Sequence, residues 1–332
     1  MTSNHLSTIS IGNFTFVEQL NILLGNKCTA QCDFCTNDSS PKGDVHLAAD
    51  TCRQLVKAAK SYGFKAIGFS GGEPFLYRKL LLELADLACK NELEFVIATN
   101  GYWGKSYEDA VWLIDYLKIR GLKKLQLSYD VEHAKYVSKE AINNVLHACA
   151  NAGINVLLYS AFYPGERKVE ELLDLSKFDN VTINQGQVFN VGRAKNNLIK
   201  LVKKSEGLAP IGSCPKLLQM TVNFDGEIYP CCSVGGFSKG LRVGNIVSDS
   251  FDSIQKSILS KSFVFYLQHQ DARWIADELT AINGTEFRSI CEVCNIVHSN
   301  DDFLKKYTSV AQEQLMKSFL KENIDSPATN NL

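Results

Sequence analysis

The sequence predicts an α/β fold, a partial (β/α)6 TIM-like barrel followed by a small C-terminal domain. Between residues 19 and 190 of the 332-residue chain, short apolar runs alternate with amphipathic runs of helical periodicity. Strands joined by helices of this length form right-handed crossovers and a parallel sheet. Six such units are too few for a closed eight-stranded barrel, so we expect a curved, partly open one, with a doubly wound sheet as the alternative.

Six strands and five helices account for this region. We expect the strands at residues 20–24, 66–69, 95–98, 124–128, 154–160 and 181–184, and the helices near residues 47–62, 76–91, 106–119, 138–152 and 166–177. In a parallel barrel, the loops that follow the C-terminal ends of the strands meet at one mouth. The residues that come directly after each strand are therefore the first candidates for a functional site.

The pattern changes after residue 200. Residues 200–212 are polar and punctuated by Gly and Pro, which predicts a linker. An Asp-Gly turn within residues 221–229 predicts a hairpin, and helical periodicity returns near residues 250–282 and 301–322. We therefore divide the chain into an N-terminal extension at 1–18, the barrel at 19–200, and a small domain with a C-terminal helix at 201–332.

The N-terminal extension carries apolar residues in alternation, at Ile9, Ile11, Phe14 and Phe16. This spacing predicts a strand, because alternate side chains of a strand share one face. An ordinary edge strand is the favoured interpretation. The alternative is a strand that holds the leader of a peptide substrate by strand addition.

Charge and hydropathy exclude several classes of partner. The chain has 35 basic and 36 acidic side chains, so no bulk field attracts nucleic acid or an anionic membrane. No stretch approaches the roughly 18 apolar residues of a membrane span, and the first residues do not resemble a signal peptide. We therefore expect a cytoplasmic protein without a nucleic-acid or membrane partner.

Eleven cysteines are the most informative part of the composition. In a reducing compartment such a number indicates metal binding or redox chemistry and not a disulfide framework. Cys52, Cys89 and Cys149 stand alone in helical patterns, where we interpret them as small buried hydrophobic residues. The other eight fall into two groups, one within a single short loop and one spread through the C-terminal region.

The first group is the triplet Cys28, Cys32 and Cys35, which directly follows the first predicted strand. Three thiolates from one loop ligate three irons of a [4Fe-4S] cluster and leave the fourth iron open to another ligand. The aromatic Phe34 precedes the last cysteine. Residues 71–74, Gly-Gly-Glu-Pro, follow the second strand and therefore lie at the same mouth.

The second group has five members, Cys214, Cys231, Cys232, Cys291 and Cys294. Four thiolates are enough to close a second [4Fe-4S] cluster, and tetrahedral zinc would accept the same four ligands. Adjacent side chains of an extended segment point to opposite faces, so one member of the Cys231–Cys232 doublet remains a free thiol. Its weak S–H bond can donate a hydrogen atom to a carbon radical.

The triplet together with residues 71–74 resembles the radical S-adenosylmethionine (SAM) enzymes, and the resemblance covers residues 19–195. It implies that the triplet binds the cluster, that the amino and carboxylate groups of SAM chelate the open iron, and that a 5′-deoxyadenosyl radical removes hydrogen from the substrate. It implies that Glu73 and the main chain near it meet the methionyl ammonium. The implied cofactor contacts are Phe34, Gly71, Gly72, Glu73, Pro74, Asn100, Ser128, Asp130 and Arg193, with His133 as a further candidate at the mouth.

Residues 225–231 and 243–246 resemble the C-terminal extension of SPASM and Twitch radical SAM enzymes. This resemblance favours iron–sulfur over zinc at the second group. Full SPASM domains carry seven cysteines for two auxiliary clusters, whereas the five here limit the chain to one. The implied ligands of this auxiliary cluster are Cys214, Cys231, Cys291 and Cys294.

The sequence Tyr-Pro-Cys-Cys-Ser around Cys232, with residues 99–104 and 128–130, resembles radical SAM peptide epimerases of the epipeptide type. The resemblance implies a ribosomally synthesised precursor peptide, an electron donor such as flavodoxin or ferredoxin, and conversion of L- to D-residues with Cys232 as the catalytic hydrogen donor. Residues 214–225 depart from the epimerase pattern. The alternatives are carbon–carbon or thioether crosslinking of a peptide, modification of a small molecule, and a non-catalytic iron–sulfur or zinc redox protein.

Overall fold

A computed structural model of the protein describes residues 8–11, 14–196, 211–214, 218–233, 235–284 and 286–325. Its strands are β1 Thr8–Ile11, β2 Phe14–Val17, β3 Gln19–Leu23, β4 Ala66–Ser70, β5 Glu94–Thr99, β6 Leu122–Ser128, β7 Asn155–Phe162, β8 Val181–Gln187, β9 Thr221–Val222, β10 Glu227–Tyr229 and β11 Gly244–Asn245. Its α-helices are α1 Ala49–Ala59, α2 Arg78–Lys90, α3 Tyr107–Lys118, α4 Lys139–Ala152, α5 Val169–Leu172, α6 Phe251–Leu259, α7 Ser262–His269, α8 Arg273–Asn283, α9 Ile290–Ser299 and α10 Asp301–Asp325.

Strands β3 to β8 lie side by side in chain order and form one parallel sheet. The pairing is in register along the apolar runs, with Leu20 opposite Ile67 and Ile97 opposite Leu125. Parallel neighbours in chain order, separated by helices, are the repeated unit of an α/β barrel. The predicted fold class, a partial barrel with a C-terminal domain, is confirmed.

The helices of the barrel cover the sheet with their apolar faces, and α3 and α4 begin at capping serines. Helix α4 begins where the hydroxyl of Ser138 accepts a hydrogen bond from the N–H of Ala141 at 3.2 Å, and it ends at Gly153 with a φ of 68°. Side-chain capping at one end and a left-handed glycine at the other are the strongest local signals for helix boundaries. They explain why these helices were predictable from sequence.

Two expectations for the barrel were wrong. The predicted helix at residues 166–177 is reduced to α5, because Leu173 is extended and the carboxylate of Asp174 accepts hydrogen bonds from the N–H and hydroxyl of Ser176. Such local side-chain contacts compete with helix formation. Cys89 was expected to be buried like Cys52 and Cys149, but it is exposed because α2 packs its opposite face on the sheet.

The C-terminal hairpin extends the barrel sheet, which the sequence analysis did not anticipate. Strands β9 and β10 are antiparallel, and β9 pairs in parallel with β3, with Thr221 opposite Asn21. The strand order of the whole sheet is β11-β10-β9-β3-β4-β5-β6-β7-β8. The hairpin that leads to Cys231 and Cys232 is therefore paired with β3, the strand that precedes the first group of cysteines.

Helices α6 to α10 complete the C-terminal region. The periodic region predicted at residues 250–282 consists of three helices, and α9, which carries Cys291 and Cys294, was not predicted. Tyr266, Leu279 and Val293 belong to a second apolar core among these helices. Within the described residues, no helix is both long and apolar enough to cross a membrane. The predicted linker lies outside the described residues except for its last two positions, so the predicted domain boundary there stays a prediction.

The N-terminal extension forms a hairpin and not a single edge strand. Strands β1 and β2 pair antiparallel, with Ile9 opposite Phe16. Phe16 is fully buried and also bridges in parallel to Leu218, just before β9. The extension therefore lies against the end of the sheet at which β3 begins.

Candidate active site

The first three cysteines lie on the loop that follows β3, at the C-terminal end of the barrel strands. Cys32 is buried, and Cys28 and Cys35 are partly buried. The backbone N–H groups of Ala30 and Ser39 donate to the Sγ atoms of Cys28 and Cys35, each at 3.4 Å. Burial raises the pKa of the Cys28 thiol to about 12. A thiolate in this position therefore requires a bound cation such as iron, and the N–H donors suit a thiolate ligand.

Arg193 braces this loop from the segment that follows β8. Its guanidinium donates to the carbonyl oxygens of Cys32 at 2.6 Å and Ser39 at 2.7 Å, and to a carboxylate oxygen of Asp38 at 2.8 Å. The N–H of Arg193 donates to the carbonyl of Cys35 at 3.0 Å. The resemblance implied that Arg193 contacts the cofactor, whereas its side chain forms hydrogen bonds with the cysteine loop itself.

The two glycines after β4 permit a close approach of two loops. A Cβ on Gly71, whose φ is 141°, would lie 2.5 Å from the carbonyl oxygen of Gly25. A Cβ on Gly72 would lie 2.2 Å from the carbonyl oxygen of Lys27. The N–H of Gly72 donates to the Gly25 carbonyl at 2.7 Å. Only glycine allows this packing, which brings the turn after β4 against the start of the cysteine loop.

Glu73 is fully buried and ties the ends of two strands together. Its carboxylate accepts hydrogen bonds from the N–H groups of Phe75 at 3.1 Å and Asn100 at 2.8 Å, and from the hydroxyl of Thr99 at 2.8 Å. Burial raises the pKa of Glu73 to about 7. Pro74 begins a short 3-10 turn after it. The carboxylate predicted to meet the methionyl ammonium therefore contacts protein groups behind the wall of the site.

A cleft of about 400 Å³ opens beside the three cysteines, where the strand ends converge. The side-chain amide of Asn100 donates to the hydroxyl of Thr29 at 2.9 Å and approaches Sγ of Cys28 at 3.7 Å. Ser128, the last residue of β6, forms part of the cleft wall. The predicted site residues that line the cleft are Cys28, Cys32, Phe34, Cys35, Gly71, Gly72, Asn100, Ser128 and the further candidate His133.

Asp130 does not line the cleft itself but contacts His133, which does. The Asp130 carboxylate is 2% exposed and accepts from the N–H groups of Glu132, His133 and Ala161. An oxygen of the same carboxylate lies 2.9 Å from Nδ1 of His133. Burial opposes the charged imidazole, but Asp130 and the contact with Cys32 outweigh it and raise the pKa of His133 well above its usual value. Asp130 therefore favours the protonated form of the imidazole next to the cysteine loop.

Two buried hydroxyls in the cleft wall fit a polar ligand. Within the described part of the chain, the Oγ atoms of Ser39 and Ser160 have no hydrogen-bond partner. An unpaired buried hydroxyl is costly, so a ligand that bonds to it gains binding energy. Sequence reasoning missed Ser160, Asn184 and Gly186, which also line the cleft. Their positions on the fifth and sixth barrel strands are the sequence signal that could have identified them as candidates.

Four of the five C-terminal cysteines line a second, apolar pocket between the hairpin and α9: Cys214, Cys231, Cys291 and Cys294. Burial raises the pKa of Cys231 to about 12 and that of Cys294 well above its usual value. Four thiolates in such a pocket require positive charge, as an iron–sulfur cluster provides. Among the described residues, no three Cys, His, Asp or Glu side chains converge on the position of one metal ion.

Glycines bring the backbone close to these cysteines. A Cβ on Gly235 would lie 2.5 Å from the carbonyl oxygen of Cys291, and one on Gly236 would lie 2.3 Å from that of Cys231. The N–H of Ser233 donates to Sγ of Cys231 at 3.3 Å. The pocket is thus enclosed by close backbone packing, whereas the cleft is open.

Cys232 lies outside this pocket and is exposed. Its thiol donates to the side-chain oxygen of Gln219, and the N–H of Gln219 donates to the carbonyl of Pro230 at 2.9 Å. Because β10 runs antiparallel to β9, and β9 parallel to β3, the doublet follows the end of the sheet at which β3 begins. The cysteine loop follows the opposite end of β3.

Comparisons with known proteins agree with this geometry. The family model of the radical SAM superfamily matches residues 22–178, and that of the SPASM iron–sulfur cluster-binding domain matches residues 214–295. The "Putative peptide biosynthesis protein YydG" of Bacillus subtilis is 28% identical over 315 residues, which are 90% of this chain and 98% of that protein. The GTP 3′,8-cyclase of Helicobacter pylori is 25% identical over 255 residues, 72% of this chain and 75% of the cyclase.

A solved structure, native anSMEcpe with bound AdoMet, shares the fold. It superimposes with a TM-score of 0.52 at 14% identity and covers 89% of this chain and 99% of its own. The two family matches imply a [4Fe-4S] cluster with SAM and a further iron–sulfur cluster, so the expectation of iron–sulfur over zinc is confirmed. The chain carries a radical SAM domain at residues 22–178 and a SPASM iron–sulfur cluster-binding domain at residues 214–295.

Proposed function

We propose that this radical SAM enzyme inverts Cα centres of a ribosomally synthesised peptide from L to D, with Cys232 as the hydrogen-atom donor. The similarity to a peptide biosynthesis protein along nearly the whole chain supports a peptide substrate. The separation of Cys232 from the cysteines around the auxiliary pocket is the observation that carries the assignment of inversion.

In this proposal Cys28, Cys32 and Cys35 hold the SAM-binding cluster. Bound SAM and the reduced cluster supply the 5′-deoxyadenosyl radical. The N–H groups of Ala30 and Ser39 stabilise the ligating sulfurs. The cleft places SAM and the substrate next to each other, so that the radical forms beside the hydrogen it removes. An external donor such as flavodoxin or ferredoxin provides the electrons.

Cys214, Cys231, Cys291 and Cys294 hold the auxiliary cluster in the same proposal. All four line one pocket, and the neighbouring Cys232 does not. A fully ligated cluster has no open iron, so it serves in electron transfer and not in binding the substrate. Cys232 remains a thiol beside it.

A separate thiol donor suits a reaction that inverts a stereocentre. Inversion needs one hydrogen removed from one face of the Cα atom and another delivered to the opposite face. The hydrogen bond from the Cys232 thiol to Gln219 orients the S–H group.

The atoms and electrons of this proposal balance. With Cys28, Cys32 and Cys35 holding the cluster, SAM and one electron would supply the radical that removes the Cα hydrogen atom, and that hydrogen would leave in 5′-deoxyadenosine. The S–H bond of Cys232 breaks, its hydrogen atom forms the new C–H bond, and a thiyl radical remains. One electron from the external donor and one proton would restore the thiol, and a cluster held by Cys214, Cys231, Cys291 and Cys294 would supply a route for that electron.

Turnover in deuterated water tests the reaction type, with synthetic precursor peptides as candidate substrates. The thiol of Cys232 exchanges with solvent, so each inverted residue gains one deuterium at Cα, which mass spectrometry and chiral amino-acid analysis detect together. A crosslinked product is lighter than its substrate by two hydrogens and would contradict the proposal. A deuterium-free product would contradict a thiol donor.

A further inference from the structure

We propose that Glu292 is a positioning residue that fixes one wall of the SAM cleft to the helix of the auxiliary site. The wall is formed by residues 188–193, called here the cleft-wall segment. The inference rests on the family's two cofactor sites and not on the peptide reaction.

The cleft-wall segment joins the end of β8 to the cysteine loop. Val188, Phe189 and Val191 line the cleft. At its far end, Gly192 has a φ of 55°, and a Cβ there would lie 2.6 Å from the carbonyl oxygen of Cys35. Arg193 makes the four contacts with the loop described above. This end of the segment is therefore fixed against the loop that carries the triplet.

The middle of the same segment is attached to the auxiliary helix through Glu292. One carboxylate oxygen of Glu292 accepts from the N–H of Asn190 at 2.6 Å, and the other accepts from the N–H of Arg288 at 2.5 Å. Glu292 is 5% exposed. It stands between Cys291 and Cys294, so the residue that holds the cleft wall lies on the same helical turn as two cysteines of the auxiliary pocket.

The geometry of α9 shows that this contact is not ordinary helix capping. Ser289 caps the helix and accepts from the N–H of Glu292 at 3.2 Å, and Glu292 occupies the third helical position. A glutamate there commonly bonds back to the N–H of the capping residue. Here it bonds to Arg288, one residue earlier, and to Asn190, about a hundred positions away in the chain. The hydrogen bond from Asn190 therefore connects α9 to a distant part of the chain and does not stabilise the start of the helix.

Together these contacts form a continuous path between the two cysteine sites. It runs from α9 through Glu292 to Asn190, along the cleft-wall segment to Arg193, and from there to the carbonyls of Cys32 and Cys35. A charged hydrogen bond between buried groups holds a backbone position more firmly than a neutral one. The auxiliary domain therefore helps to shape the site that binds SAM.

The test compares the Glu292→Gln variant with the native enzyme, after both have been reconstituted with iron and sulfide. Glutamine has the same shape, but its NH2 group faces one of the two N–H donors, so one charged hydrogen bond is lost. We expect the amide of Asn190 to exchange hydrogen about tenfold faster, with the change confined to residues 188–193. In peptide-free cleavage of SAM under dithionite, we expect KM for SAM to rise about tenfold at nearly constant kcat.

Glu171→Gln is the matched control. Glu171 is an exposed glutamate whose carboxylate accepts from the N–H of Lys168 at the start of α5, away from both cysteine sites. It should leave exchange at Asn190 and KM for SAM unchanged. Unchanged exchange and unchanged KM in Glu292→Gln would overturn the proposal. Loss of auxiliary iron with a parallel fall in kcat would also overturn it, because Glu292 would then support the cluster and not the cleft wall.

Discussion

The two cysteine sites are built in opposite ways, although both are connected to β3. The triplet lies on one loop at an open cleft, with polar strand ends and two unpartnered hydroxyls, those of Ser39 and Ser160, in the described part of its wall. The C-terminal cysteines come from three separate segments and enclose an apolar pocket with glycine backbone packed against it. An open site with too few thiolates suits a cluster that reacts with a ligand, and a closed one suits a cluster that only exchanges electrons.

The largest expected effect is the loss of a triplet cysteine. Cys35→Ala removes one of only three thiolates, so we expect SAM cleavage to fall more than about 100-fold, since even indirect partners of metal ligands cost about 10–100-fold. The auxiliary iron should remain, because its four cysteines lie in another pocket. Iron analysis and chromatography of 5′-deoxyadenosine measure both. Loss of all iron on this substitution would contradict the independence of the two sites.

A smaller effect is expected from two matched glycine substitutions. In Gly72→Ala and Gly236→Ala the new Cβ would lie 2.2 Å and 2.3 Å from a backbone carbonyl oxygen, so each should lower the free energy of unfolding by about 1–3 kcal/mol. Their consequences should differ. Gly72→Ala should weaken SAM binding and spare the auxiliary cluster, and Gly236→Ala should do the reverse.

Gly212→Ala serves as the control for this pair, because no atom of the described residues lies within 4 Å of the position its Cβ would take. Thermal melts report stability, and visible absorption with binding titrations of SAM reports the two sites. If both variants damaged the same site, the division of the molecule into an open and a closed cysteine site would be wrong.

The parts predictable from sequence were those with local signals. The six barrel strands, the triplet and the hairpin depend on periodicity, spacing and an Asp-Gly turn. The pairing of β9 with β3 and the packing of α9 depend on contacts between residues far apart in the chain, which a local pattern does not encode. The directions of the Glu73 and Arg193 side chains could not be predicted from sequence either. Both residues lie at the expected loops, but their charged groups form hydrogen bonds with protein atoms.

The contrast between adjacent Cys231 and Cys232 carries the account of the reaction, and Cys232→Ala tests it most directly. Cys89→Ala is the matched control, because Cys89 is also an exposed cysteine and lies on the outer face of α2. We expect Cys232→Ala to keep the full iron content and to form 5′-deoxyadenosine in the presence of the peptide, without any D-residue, whereas Cys89→Ala behaves as the native enzyme. Retained epimerisation, or loss of the auxiliary cluster, in Cys232→Ala would contradict the assignment of this thiol as the hydrogen donor.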